Sequence, residues 1–357
     1  MKIKVTPMSS DKLKSKPTNE AELGFGDIFT DHMFLMDFEA GKGWYDPRIV
    51  PYGDFKIDPA AMALHYGQEI FEGLKAYHGQ DGGIHLFRPK DNFARFNRTA
   101  SRLCMPEVAI DLALEGMIKL VLMEKEWIPK TEGTSLYIRP TMIATEPHLG
   151  VRPANKYLFF IIVGPVGAYY KEGFNPIKIY VESEYVRAAI GGTGAIKAAG
   201  NYAASLLAAE KAKEKGFTQV LWLDAAEKKY IEEVGTMNMF FVIDDEVITA
   251  PLNGSILPGI TRDSVIYMIN NWGIKMSERS LSIDEVISAA KNGNLKEAFG
   301  TGTAAVVSPV GEITYRNEDY IISNGNTGDL SQRLYNEIFD IQYAKKQDPY
   351  GWRMTIG

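Results

Sequence analysis

Cysteine is nearly absent from this chain. Of 357 residues only Cys104 carries a thiol, so no disulfide can form within the chain, and a reducing compartment fits. The thiol sits in the apolar setting Leu103-Cys104-Met105-Pro106 and reads as packing rather than as a nucleophile. Histidine is sparse too. His32, His65, His78, His85 and His148 form no H-x-x-x-H or H-E-x-x-H arrangement, so no metal is expected. No stretch reaches the roughly 18 consecutive apolar residues of a membrane span, and no membrane partner is expected. Blocks of one charge are also missing. The 39 Lys and Arg residues face 45 Asp and Glu, a net charge of −6, without the basic face that nucleic-acid binding requires. The first 22 residues lack arginine and a long apolar core. They are expected to be a mobile arm without a targeting signal, and a cytoplasmic location fits.

What is present is a well-buried globular chain, 45% apolar and 24% charged, too long for one core. Two domains are expected, a small one over 23–163 and a large one over 177–357. The joining segment 164–176 holds three glycines and two prolines and is expected to be a linker. Helical patterns cover "KDNFARFNRTASRLCMP", with Asp91 as the expected N-cap, and "DLALEGMIKLVLMEKEWIP", "AASLLAAEKAKEKGF" and "SIDEVISAAKNG". Apolar, β-branched runs such as "TSLYIRPTMIAT", "KYLFFIIVGPVGAYY" and "TQVLWLD" read as strands. Strands and helices mix without steady βαβ alternation, so an α+β fold is expected.

The stretch "GGTGAIKAAGNYAASLL" begins at Gly191 and carries Lys197 among small neighbours. It is not a nucleotide phosphate loop. Ile196 precedes the lysine where a glycine should stand, and Ala198 follows it where a hydroxyl should. It is not a dinucleotide fingerprint either, because Lys197 occupies the place of the third glycine. An amine among apolar residues is pushed towards its neutral, nucleophilic form, the starting condition for covalent chemistry with an aldehyde. The aldehyde cofactor pyridoxal 5'-phosphate needs three further partners. Its phosphate needs backbone amides and an arginine, its ring nitrogen a carboxylate, and its ring oxygen a hydroxyl. Ile260 and Thr261 open a helix after a Pro-Gly turn, and Thr301, Thr303 and Ala304 lie in a Gly/Thr turn. Glu233 ends a strand, and Tyr202 follows Lys197 closely. Any one of these residues alone would read as structural.

Together, "FEGLKAY", "LFRPKDNFARFNRTASRLCMP", "SLYIRP", "KAAGNYA", "EVGTMN", "LPGITR" and "GTGTAAVVSPVG" resemble the branched-chain amino acid aminotransferases. These are class IV aminotransferases with the two-domain α+β fold type IV of D-amino acid aminotransferase. The likeness runs from about residue 23 to the end of the chain. It implies that Lys197 is the catalytic Schiff-base lysine, that Tyr202 meets the ring oxygen, and that Glu233, with Thr236 beside it, meets the ring nitrogen. It implies Arg95 as the phosphate arginine, with Ile260 and Thr261 as phosphate amides and Thr301 as a further phosphate contact. Thr303 and Ala304 would hold the substrate α-carboxylate, Thr303 also lining the cofactor. Phe25, Tyr66, Phe71, Tyr137 and Tyr169 would form an aromatic box. Val151 would reach the site of a second copy in a homodimer, and Arg139 would meet the side-chain carboxylate of glutamate. An apolar box accepts an aliphatic chain by burying it, and one arginine at its rim accepts a second carboxylate.

The implied reaction moves an amino group between leucine, isoleucine or valine and 2-oxoglutarate. Its partners are amino acids and 2-oxo acids. D-amino acid aminotransferase, aminodeoxychorismate lyase and a non-catalytic pyridoxal-phosphate-binding protein are alternative readings of the same lysine and carboxylate. Arg139 and the aromatic set favour branched-chain substrates. One departure stands out: mammalian members carry a C-x-x-C pair where this chain reads Ala305-Val306-Val307-Ser308, so no thiol switch is expected there.

Overall fold

The computed structural model describes residues 1–167 and 174–357, and Tyr169 lies outside the described residues. The chain divides into two compact units. The first comprises Met1–Tyr169, Lys197–Ala199 and Asp340–Gly357, and the second Tyr170–Ile196 and Gly200–Phe339.

The first unit is built on a nine-stranded sheet. Its strands are β1 (Lys4–Val5), β2 (His32–Glu39), β3 (Gly43–Pro51), β4 (Glu69–Phe71), β5 (Leu74–His78), β6 (Ile84–Phe87), β7 (Ser135–Ala144), β8 (Lys156–Val166) and, from the end of the chain, β18 (Arg353–Thr355). They run in the order β1-β3-β2-β8-β7-β5-β6-β18, with β4 paired to β7. Helices α1 (Met62–Tyr66), α2 (Pro89–Arg102) and α3 (Ile110–Met123) complete the unit. Phe93 and Phe96 of α2 and Met117 and Leu120 of α3 share one buried core with Phe34, Ile138 and Phe159 of the sheet. Burial of such side chains contributes roughly 1.5–3 kcal/mol each. Helix α3 lies tight against β2, since a Cβ on Gly116 would stand 2.5 Å from the Phe34 ring. The two-residue period of β7 sends Leu136, Ile138 and Met142 into this core and turns Tyr137, Arg139 and Thr141 to the opposite face.

The second unit holds β9 (Ile177–Val181), β10 (Gln219–Leu223), β11 (Ile231–Val234), β12 (Met237–Ile243), β13 (Glu246–Thr249), β14 (Met276–Glu278), β15 (Leu295–Gly302), β16 (Val306–Tyr315) and β17 (Glu318–Ile321). They run β11-β10-β9-β16-β15-β12-β13-β14, with β17 on β16. A further pairing of β11 with β12 closes six of these strands into a ring. Helices α4 (Ala199–Glu214), α5 (Ile260–Asn271), α6 (Ile283–Lys291) and α7 (Asp329–Gln342) follow. Helix α4 stops where Gly216 takes a left-handed φ of 86°, a conformation glycine adopts without strain.

The structure departs from the sequence reading in several places. Gly164, Pro165 and Val166, expected in the linker, pair with Tyr137, Leu136 and Ser135 inside the sheet. The ladder therefore continues past the first glycine. The expected arm is laid along the first unit: β1 pairs in parallel with β3, and the Lys14 amide donates to Asp31 at 2.8 Å. The C-terminal residues return to the first unit, where β18 pairs with β6. Helix α2 starts at Pro89 with Arg88 at its N-cap. Asp91 sits in its first turn and accepts from Arg88 Nε at 2.7 Å.

Candidate active site

Lys197 is held by two backbone bonds. Its amide donates to Thr99 Oγ1 of α2 at 3.1 Å, and its carbonyl accepts from the Phe71 amide at 3.2 Å. Ala198 adds an antiparallel bridge to Ile70. The side chain, half-buried, carries Nζ to 4.9 Å from the Phe71 ring centre. The Arg139 guanidinium lies 4.6 Å from the same ring and donates to the Tyr137 hydroxyl at 3.1 Å. Phe25 meets Tyr137 edge to face at 4.9 Å. The first unit thus gathers Phe25, Phe71, Tyr137, Arg139 and Lys197 into one neighbourhood. Arg139 Nε is buried with no hydrogen-bond partner among the described residues. Burial pushes the carboxyl of Glu69, on the same face, above its ordinary range, although Arg139 opposes the shift.

Behind the amine stands a pair the sequence reading did not name. Glu72 is fully buried. It accepts from Arg95 Nε at 2.7 Å and Nη2 at 2.9 Å, and from Asn92 at 2.9 Å. Burial alone would push its carboxyl up, but Arg95, Lys197 and Asn92 outweigh burial and hold it below the ordinary carboxylate range. Arg95, expected to hold a phosphate, therefore also clamps Glu72 in a bidentate fork. Glu72 follows Phe71 in an apolar run, and a carboxylate in such a run signals a buried ion pair.

Tyr66 and Val151 belong to an exposed part of the first unit. The Tyr66 hydroxyl donates to the Leu149 carbonyl, and Leu149 and Val151 are 63% and 85% exposed.

In the second unit the glycine-rich loop is bracketed rather than loose. Asn201, at the start of α4, donates to the carbonyls of Thr193 and Ile196 at 2.7 and 2.9 Å. A Cβ on Gly194 would stand 2.0 Å from the Ser255 carbonyl, so only glycine fits there. Glu233 is buried on β11, beside the closure with β12. Its Oε2 takes Arg187 Nε at 2.6 Å, while Oε1 accepts from Leu257 N at 3.0 Å and Asn238 Nδ2 at 3.2 Å. Arg187 also donates to the Ser255 and Gly194 carbonyls at 3.0 and 3.4 Å. A small hollow is lined by Arg187, Asn201, Tyr202, Ser205, Gly235 and Thr236, joining the expected Tyr202 and Thr236. Sequence reasoning missed Arg187 and Asn238. The signal for Arg187 is its place in "YVRAAIGG", a charge in a run otherwise small or apolar.

Ile260 and Thr261 form the first turn of α5, whose N-cap Gly259 supplies no side-chain cap. A Cβ on Gly259 would stand 2.0 Å from Asn238 Oδ1, so the helix start and Glu233 are fixed by the same asparagine. Thr301 pairs in register with Asn238, and its buried hydroxyl has no partner among the described residues. Thr303 and Ala304 lie half-buried in the turn from β15 to β16.

These groups suit pyridoxal phosphate. A buried carboxylate oxygen paired with one arginine nitrogen keeps capacity for a ring N–H. A helix start with no side-chain cap and a buried threonine hydroxyl with no partner among the described residues suit a phosphate. Among the described residues no group of acidic, histidine or cysteine side chains could hold a metal ion, and no helix is long and apolar enough to cross a membrane.

The amino-transferase class IV family model matches residues 69–313. Branched-chain-amino-acid aminotransferase 2 of Bacillus subtilis is 57% identical over 99% of this chain and 97% of its own length. A probable branched-chain-amino-acid aminotransferase of Staphylococcus aureus is 53% identical over 97% of this chain and 96% of its own. The crystal structure of the Escherichia coli branched-chain amino acid aminotransferase superposes with a TM-score of 0.76 at 28% identity, covering 92% of this chain and 99% of that one. The T.th. branched-chain amino acid aminotransferase with pyridoxamine 5'-phosphate gives 0.75 at 28%, covering 90% and 98%. A lysine beside an aromatic box with an arginine, on a class IV fold and with relatives matched over nearly their whole length, places this chain among the branched-chain amino acid aminotransferases.

Proposed function

We propose that this aminotransferase moves the amino group between L-leucine, L-isoleucine or L-valine and 2-oxoglutarate, in either direction, with pyridoxal 5'-phosphate as cofactor. The reading rests on one observation above all: the Lys197 amine shares the Phe71 ring with the Arg139 guanidinium. An amine, an apolar box and one cation are what a shared aliphatic and dicarboxylate pocket needs. The pyridoxamine 5'-phosphate held by the T.th. relative supports the cofactor.

Glu233 would hold the ring nitrogen protonated, fixed by Arg187. Tyr202 and Thr236 would line the ring. Arg95, the Ile260 and Thr261 amides, Thr301 and Thr303 would hold the phosphate end. When bound, the cofactor supplies an electron sink that lets a proton leave the amino-acid α-carbon. Lys197 Nζ takes that proton and returns it on the other side of the reaction. The Thr303 and Ala304 amides orient the α-carboxylate. Phe25, Phe71 and Tyr137 bury the side chain and exclude water, and Arg139 pairs with the second carboxylate of glutamate. The donor leaves as its 2-oxo acid before the acceptor enters, so ping-pong kinetics are expected. The exposed Leu149 and Val151 support a homodimer in which this loop meets a second copy. A cytoplasmic location fits the single cysteine.

A coupled transamination assay across L-leucine, L-isoleucine, L-valine, D-alanine and 4-amino-4-deoxychorismate tests the reading. Turnover with the three branched-chain L-amino acids is expected. Preference for D-alanine or the chorismate derivative sinks it. The purified protein should be yellow, and Lys197→Ala should abolish its visible absorbance band. A protein that stays colourless after addition of pyridoxal phosphate sinks the cofactor assignment.

A further inference from the structure

Glu232 precedes Glu233 on β11 and is 4% exposed. Both carboxyls meet the same short segment ahead of α5. Glu233 Oε1 accepts from the Leu257 amide at 3.0 Å, and Glu232 Oε1 meets the Ser255 hydroxyl. Ser255 Oγ also stands 2.7 Å from Asn253 Oδ1. The Ser255 amide donates to that same Oδ1 at 3.0 Å, which fixes the atom as the amide oxygen. A hydroxyl has one proton. Given to either acceptor, it leaves the other contact without one, unless the carboxyl supplies a second. The arrangement that balances runs from a protonated Glu232 to Ser255 Oγ, and from the Ser255 hydroxyl to Asn253.

The surrounding charges agree. Glu232 Oε2 is buried with no hydrogen-bond partner among the described residues, and this costs far less for the carbonyl oxygen of an acid than for half of an anion. The charged groups acting on Glu232 are Arg187 and Asp224. Arg187 is already committed, through Nε to Glu233 Oε2 at 2.6 Å and through its other nitrogens to the Ser255 and Gly194 carbonyls. Burial would raise the Asp224 carboxyl, but four backbone amides hold it below its ordinary range. In the turn between them, Lys228 donates to the Ser183 and Glu184 carbonyls and Lys229 lies over the Tyr230 ring. Histidine is absent from the second unit. Burial pushes the Glu232 carboxyl above its ordinary range and Asp224 adds to the shift, while the Ser255 hydroxyl, Arg187 and Asn253 oppose it without cancelling it.

On the cofactor reading proposed above, we infer that Glu232 is a positioning residue held as a neutral carboxylic acid. It anchors the Ser255 hydroxyl while the Ser255 carbonyl holds Arg187 at 3.0 Å, and so it aims Arg187 at Glu233, the carboxylate assigned to the ring nitrogen. Being neutral, it leaves one guanidinium to one carboxylate. An ionised Glu232 would set two buried anions against a single cation and weaken the hold on Glu233.

Infrared spectra of the holoenzyme at about pH 6, above the ordinary carboxylate range, should show the carbonyl band of a protonated acid that Glu232→Gln removes. A wild type without that band overturns the assignment. Pyridoxal phosphate titration of the full chain, followed by visible absorbance, reads the positioning. Glu232→Ala and Ser255→Ala should each weaken binding about tenfold or more. The double variant should be no weaker than either, because both break one chain of contacts. Glu232→Gln, uncharged and able to donate to Ser255 Oγ, should restore affinity to within about threefold. The magnetic-resonance signal of a nitrogen-labelled cofactor ring should move towards its unprotonated position in Glu232→Ala and return in Glu232→Gln. Unchanged affinity in both alanine variants overturns the role, and so does a lowered melting temperature with an unmoved ring-nitrogen signal. Affinity that follows potassium or sodium concentration at constant ionic strength overturns it too, by placing a cation rather than a proton among these oxygens. If the wild type binds pyridoxal phosphate and the variants match it, only the role of Glu232 falls. If the wild type does not bind it, the cofactor reading falls as well.

Discussion

At the residue scale the buried ion pairs carry the site. Glu72 has given up all its water, and only the fork from Arg95 and the Asn92 amide make an ionised carboxylate tolerable there. Breaking one partner of such a pair costs about 3–5 kcal/mol. Glu72→Gln is therefore expected to lower the melting temperature by several degrees and to weaken cofactor binding by loosening Arg95. The pH dependence carries a sign. The folded carboxyl titrates below its ordinary value of 4.5, so its contribution is fully present above about pH 4.5. It is lost as pH falls through the lower folded value. Thermal melts across the acid range should show a shallower acid limb in the glutamine variant. A limb of unchanged slope overturns the assignment.

Arg139 is the cation beside the aromatic rings of the first unit. Its guanidinium spans Phe71 and Tyr137, and its buried Nε has no partner among the described residues. Arg139→Met should raise the KM for glutamate at least about tenfold, the loss of a charge-assisted pair, and change that for leucine far less. Equal losses would show that Arg139 only shapes the box.

At the scale of elements, one asparagine couples a strand closure to a helix start. Asn238 on β12 donates to Glu233 on β11, and its oxygen fills the space beside Gly259 ahead of α5. Gly259→Ala would force a Cβ to 2.0 Å from that oxygen, so Asn238 must move and release Glu233. Both stability and cofactor affinity should fall. Ser282→Ala makes a control. Ser282 Oγ caps α6 by accepting from Glu285 N at 3.1 Å. Its loss should cost about 1 kcal/mol with cofactor affinity unchanged. If Gly259→Ala behaves like Ser282→Ala in a spectroscopic titration with pyridoxal phosphate, the coupling is wrong.

Elements of this kind differ in how far local sequence betrays them. Ser282 ahead of an apolar stripe announces α6, and alternation in "SLYIRP" announces β7 and its two faces. Asp91 misleads because proline at the first position of α2 already fixes the helix start, leaving the aspartate inside the first turn. The glycines at 164 and 167 suggest a break. Yet Gly164 lies in β8 because a Cβ there would stand 2.0 Å from the Ile28 carbonyl: close approach, not flexibility, selects it. Lys197, Glu233 and Arg139 are legible as motifs. Glu72 and Arg187 leave only the faint trace of a charge among apolar neighbours, because what marks them is a partner far away in sequence, Arg95 and Glu233; Asn238 leaves none, because what marks it is its packing against Leu257 and Gly259.

At the scale of the molecule, the return of β18 to β6 is invisible for the same reason: pairing at such separation leaves no local signature. The whole chain also bears a cost in stability that belongs to Lys75. Its amine titrates at about 8 instead of its ordinary 10.5, and each pH unit is worth about 1.4 kcal/mol. Keeping the ammonium folded therefore costs about 3 kcal/mol. Below about pH 8 both folded and unfolded chains carry the proton, and the folded chain bears the full penalty. Between about 8 and 10.5 the folded chain sheds its proton first and the penalty drains away. Lys75→Met is thus expected to raise stability at neutral pH by an amount of this order. The gain should shrink as pH rises and vanish above about pH 10.5. Denaturant unfolding of both proteins at neutral and alkaline pH measures it. A variant no more stable than wild type at neutral pH would mean that the burial of this amine is already compensated inside the fold.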